Sequence, residues 1–100
     1  VAAGSNTQLT VSTLYPPVPP FESPADGNLS KMLSELSDRT PGTVAFGTEA
    51  HFLQTLGMQT VVWGPGSIDQ AHQPDEYLEH AHIQPAIDTL QKVIGRYCQA

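Results

Sequence analysis

Apolar positions recur along this chain at two different periods, and each change of period marks an element. From Thr7 to Tyr15, Leu9 and Val11 alternate with polar neighbours in a β-branched stretch, which predicts a half-buried strand. Leu29, Met32, Leu33 and Leu36 then fall at i, i+3, i+4 and i+7, an amphipathic helix from about Ala25 to Ser37. Ser23 and Pro24 suit its N-cap and first position, and Arg39-Thr40-Pro41-Gly42 stops it. Thr43 to Phe46 reads as a short strand ended by Gly47. Thr48 is placed to cap a helix reaching about Leu56, with Glu49 in its first turn and Gly57 at the left-handed position beyond its end. Gln59 to Trp63 reads as a buried strand. Ile83, Ile87, Leu90, Ile94 and Tyr97, spaced 4, 3, 4 and 3, predict a long helix from about His80 to Cys98, with Pro85 tolerable only near its first turn.

Two strands joined by a short helix form a βαβ unit, which closes as a right-handed parallel crossover, so the expected class is α/β. Five of the nine prolines sit between positions 16 and 24 and make a stiff extended connector. No Arg or Lys flanks them to orient docking on a polyproline-binding domain, which favours a connector over a recognition motif. No internal repeat is present.

Composition narrows the function classes. One hundred residues, 39% hydrophobic and 14% charged, suit a single folded domain, and no apolar run is long enough for a membrane span or signal-peptide core. A net charge of -6 leaves no basic face for nucleic acid. Cys98 is the only cysteine, so no internal disulfide forms, which suits a reducing, cytoplasmic compartment. The chain starts at Val1, and its opening VAAGSN carries no apolar period; the expectation is a piece cut from a longer protein.

In parallel α/β sheets, ligands bind beyond the carboxyl ends of the strands. Two loops would leave strands at that edge, Gly47 to His51 and Gly64 to His72. Gly66, Ser67, Asp69, His72, Asp75 and Glu76 lie close together in sequence, a density that suits a metal or a carboxylate-bearing substrate. Plainer roles compete: His72 as a loop histidine, Glu49 as a dipole partner, and Asp75 with Glu76 as a solvated turn. His80 and His82 are two apart and would point to different sides of a helix, and His51 has no identifiable partner. Asn28-Leu29-Ser30 is a glycosylation sequon by pattern only. There is no nucleotide-binding glycine loop, paired-cysteine zinc site or nucleophile elbow. A zinc site needs three or four protein ligands, so one well-placed histidine is not a complete site.

GTEAHF (Gly47 to Phe52) and GPGSIDQAHQPDEYLE (Gly64 to Glu79) resemble the C-terminal motifs of the acetylornithine deacetylases. These belong to the dizinc amidohydrolases, with the aminoacylases, succinyl-diaminopimelate desuccinylases and carboxypeptidases. The likeness runs from about Leu14 to the terminal helix and is weakest over residues 1–10. Tyr15 stands where the family often has histidine. The resemblance implies a metallopeptidase-like catalytic domain interrupted by a lid or dimerisation domain. Residues 1–15 would then end the lid with its last strand, 16–24 would be the return crossing, and 25–100 would complete the catalytic domain. It further implies His72 as the last protein ligand of the metal, with Thr48, Glu49, Gly66 and Ser67 at the substrate. The other ligands and the catalytic glutamate precede the lid in the family, so no catalytic residue is expected here and the isolated chain should be inactive. The implied reaction is hydrolysis of N2-acetyl-L-ornithine to ornithine and acetate in arginine biosynthesis. Its implied cofactor is zinc, with cobalt as the alternative and two ions per enzyme. The implied partners are an N-acetyl amino acid and a second subunit, with no nucleic acid and no membrane.

The competing reading is a non-catalytic module that docks through the proline run or pairs copies through the exposed edge of Thr7 to Tyr15.

Overall fold

Helices form where the sequence shows the helical period. The computed structural model describes Gly4 and residues 6–99; residues 1–3 and 5 of the expected 1–15 segment, and Ala100 of the expected 25–100 segment, lie outside these. The helices are α1 (Asn28–Ser37), α2 (Ala50–Thr55) and α3 (Ile83–Tyr97), with single 3-10 turns at Ile68–Gln70 and His80–His82.

Helix α1 starts later than Ser23 and Pro24 suggest. Gly27 is its N-cap, behind a turn in which the Gly27 N–H donates to the Pro24 carbonyl at 3.0 Å. The Ser23 hydroxyl instead donates to the Thr60 carbonyl at 2.8 Å, and the Gln59 amide oxygen accepts from the Leu29 N–H at 3.3 Å. A third bond runs from the Gln54 amide to the Glu22 carbonyl at 2.7 Å, so the end of the proline connector is pinned to residues 54–60. In front of α2, Thr48 Oγ1 accepts the Ala50 N–H at 3.1 Å, and Gly57 at φ +81° closes the far end. The 3-10 turn at His80–His82 leads directly into α3, and Pro85 falls in the first turn of that helix, where its missing N–H costs nothing.

The expected α/β class is not what forms. Among the described residues there is no strand: Thr7–Tyr15, Thr43–Phe46 and Gln59–Trp63 make no ladder, and no parallel βαβ unit or lid strand exists. The physical reason is pairing. A strand persists only when its N–H and C=O groups meet those of a neighbour. The segments at 43–46 and 59–63 do not pair with each other, and one carbonyl of the second, Thr60, is taken by a serine hydroxyl.

Helix α1 packs on α3, and the buried residues of the pair are Ser30 and Leu33 on one and Ala86 and Thr89 on the other. Ala50 and His51 of α2 complete the buried set, and no side chain among the described residues is fully enclosed. The accessible surface is 8718 Å², against about 5,500 Å² expected for a folded monomer of this mass. The radius of gyration is 19.2 Å, where a compact domain of this length has about 13 Å. No helix of the described residues is long and apolar enough to cross a membrane.

Candidate functional site

His72, at the end of the second motif loop, touches Phe46, the residue just ahead of the first. Its backbone lies in the left-handed region at φ 60°, one of two such non-glycine residues described. For a residue with a Cβ this conformation costs about 1–2 kcal/mol, so something nearby must hold it. Glu76 does so: its Oε2 accepts the His72 backbone N–H at 3.0 Å, while the Glu76 N–H donates to the Gln73 carbonyl at 3.2 Å. A hydrogen bond to a charged acceptor contributes about 1.5–3 kcal/mol when sheltered, and solvent at this exposed position brings it down to the order of the strain.

The imidazole of His72 is tilted 59° against the ring of Phe46, with centroids 4.8 Å apart. Phe46 immediately precedes the Gly47–His51 loop, so this contact ties the approach to one motif loop to the end of the other. The expected common rim at the ends of parallel strands does not form, because the described residues contain no strand. His72 itself is exposed.

Gly66 and Ser67 line a cleft of about 340 Å³ with Pro65, Gln70, Ala71, Glu76, Tyr77 and Leu78. Gly66 is favoured by its backbone and stands close to a neighbour. Its φ is +93°, and a Cβ there would stand 3.1 Å from Leu78 Cδ1. The Ser67 hydroxyl accepts the Asp69 N–H at 3.3 Å and caps the 3-10 turn that follows. Thr48, Glu49 and His72 stand outside the cleft lining. Thr48 is half-buried and Glu49 exposed ahead of α2; Glu49, expected in the first turn, is itself the N-cap, and Thr48, expected as the cap, lies one residue before it.

The remaining histidines stay apart from this group. His51 is buried, with its ring 3.7 Å from that of Phe52 and its Nδ1 without a hydrogen-bond partner among the described residues. His80 is exposed, whereas His82 is half-buried with Nδ1 likewise unpartnered. No three His, Cys, Asp or Glu side chains among the described residues gather into a metal cluster. His72 therefore fits a metal as a single exposed imidazole ligand and not as a whole site.

Two residues escaped the sequence reading. Phe46 looked like the end of a strand, and only the fold sets it against His72. Glu76 looked like a solvated turn residue; its carboxylate binds the backbone of His72 instead. The spacing of four residues across Pro74 was the available signal.

Comparison with known proteins extends this picture over nearly the whole chain. It is 46% identical over 91 residues to the acetylornithine deacetylase of Klebsiella pneumoniae (strain 342), covering 91% of this chain and 24% of that protein. It is 45% identical, with the same coverage, to the acetylornithine deacetylases of Pectobacterium atrosepticum and Salmonella arizonae. The chain thus spans about a quarter of the length of the curated relatives it matches. No solved structure matches it at a significant level. The family model described as peptidase family M20/M25/M40 matches residues 6–96, which include both motif loops, the proline connector, α1, α2 and all but the last residue of α3. This chain belongs to peptidase family M20/M25/M40.

Proposed function

We propose that this chain is part of a metal-dependent amidohydrolase that removes the acetyl group of N2-acetyl-L-ornithine, releasing ornithine and acetate in arginine biosynthesis. The observation that carries the reading is the identity shared with acetylornithine deacetylases across nine-tenths of the chain. Residues 1–15 would belong to the lid or dimerisation domain, 16–24 to the crossing, and 25–100 to the catalytic domain. The family-length enzyme would act as a cytoplasmic homodimer, a setting that suits the exposed free thiol of Cys98.

His72 would hold one metal ion, zinc or cobalt, through an imidazole nitrogen, in a site of two ions. When bound, the metal supplies Lewis-acid activation of the acetamide carbonyl and of the attacking water. The chain's own residues bind and orient. Gly66 lets a ligand approach the backbone closely, and Ser67 offers its hydroxyl beside it in the cleft. Thr48 Oγ1 accepts the Ala50 N–H, which leaves its O–H to donate to a ligand oxygen. Exposed Glu49 offers a carboxylate to the side-chain ammonium of the substrate.

A chimera tests this, with the 91 aligned residues of this chain replacing their counterparts in the Klebsiella pneumoniae relative. The expected result is metal-dependent release of acetate from N2-acetylornithine, abolished together with metal binding in His72→Ala. A folded, metal-loaded chimera that does not hydrolyse the substrate would overturn the reading.

A second reading rests on a different observation. Leu9, Val11, Leu14, Tyr15 and Val18 are 64–85% exposed along one extended segment, which favours a pairing surface between copies. Polar replacements there would lower the oligomeric state of the chimera while leaving its metal content unchanged.

A further inference from the structure

We infer that Glu76 and Phe46 are positioning residues for His72, which together present its imidazole to a divalent metal in one orientation. The inference rests on the proposed role of His72 as a ligand, and the geometry around that residue carries it. Four observations coincide. The backbone of His72 is in the left-handed region, where a residue with a Cβ does not stay without restraint. Glu76 closes the segment from 72 to 76 twice, with its carboxylate on the His72 N–H and its own N–H on the Gln73 carbonyl. Pro74 lies between them and removes one backbone freedom from that short loop. Phe46, just ahead of the other motif loop, lies against the imidazole and restricts its rotation.

Metal-binding histidines are commonly oriented by a carboxylate or carbonyl on their second ring nitrogen. Here the carboxylate of Glu76 grips the main chain, and the ring face is held by an aromatic neighbour. Among the described residues neither ring nitrogen of His72 has a hydrogen-bond partner, so both face solvent or a metal. The restraint acts before any ligand arrives, so its removal should weaken binding through lost preorganisation while the ligand itself is untouched.

The test is a titration of the metal-free chimera with Co²⁺, reading affinity and the visible absorption of the bound ion. The variants are Glu76→Ala, Glu76→Gln, Phe46→Leu and His72→Ala. Glu76→Ala is expected to weaken binding by about 10–100-fold, the usual effect of removing a group that orients a ligand. Glu76→Gln should restore most of the affinity and the spectrum, because an amide oxygen still accepts the His72 N–H. Phe46→Leu should also weaken binding, while its thermal melt remains close to that of the parent. Wild-type affinity in both Glu76→Ala and Phe46→Leu, with binding lost in His72→Ala, would overturn the positioning role and leave the ligand assignment standing. Equal loss in Glu76→Gln and Glu76→Ala, with a changed spectrum, would make Glu76 a ligand and also overturn it. Unchanged binding in His72→Ala would instead remove the ligand reading on which the inference rests.

Discussion

Left-handed backbone occurs at two side-chain-bearing residues, Asp38 and His72, and at Gly57 and Gly66 near the motif loops. Asp38 ends α1, a position where such a residue is common. His72 ends no α-helix, and its conformation is held by Glu76. The two glycines separate backbone cost from steric cost. A Cβ at Gly57 would meet open space, so Gly57→Ala should destabilise the chimera by about 1 kcal/mol from φ alone. A Cβ at Gly66 would also press on Leu78, so Gly66→Ala should cost more than Gly57→Ala in urea unfolding. Equal losses would mean that Leu78 moves aside freely. The position of Gly57 was legible from the helix period that stops before it. The conformation of His72 was not, because the carboxylate that stabilises it lies four residues further on.

At the scale of elements, helices were legible and strands were not. A helix closes its hydrogen bonds within its own segment, so period and caps specify it locally. Accordingly α1 and α3 end within a residue of where their patterns stop. A strand takes its hydrogen bonds from a neighbour that no local pattern contains, and the alternation at 7–15 and the apolar run at 59–63 form none. Within α3, the stripe Ile83, Ile87, Leu90, Ile94 and Tyr97 remains 40–53% exposed, while the seam one residue away, Ala86 and Thr89, is the part buried in the structure. Gly95 also faces solvent in the last turns of this helix. Gly95→Ala should therefore favour the helix by roughly 0.5–1 kcal/mol, raising the helical circular dichroism of a peptide covering residues 80–99. No gain would mean that the end of α3 is frayed in solution.

At the scale of the whole molecule, the excess of accessible surface and the extended dimensions leave large apolar side chains in water. With only Leu33, Ala50 and Ala86 buried among the described apolar residues, little opposes the entropy of ordering. The isolated 100-residue chain is expected to melt without a sharp transition and to gain mass with concentration in sedimentation experiments. Ile87→Lys combined with Leu90→Lys should reduce that association, since both lie in the exposed stripe of α3. A monomer with a cooperative melt would contradict this account.

The sequence by itself determined the helices, the stiff proline connector, the position of the left-handed glycine after α2, and the family to which the chain belongs. These depend on local periodicity, on the fixed geometry of proline and glycine, and on motif residues read in order. Only the tertiary structure decided that the strand-like segments stay unpaired and that α3 buries Ala86 and Thr89 rather than its large residues. It also decided that Phe46 touches the ring of His72 while Glu76 binds its backbone. Each of these depends on groups distant in sequence or on the direction of a side chain, which a linear pattern does not contain.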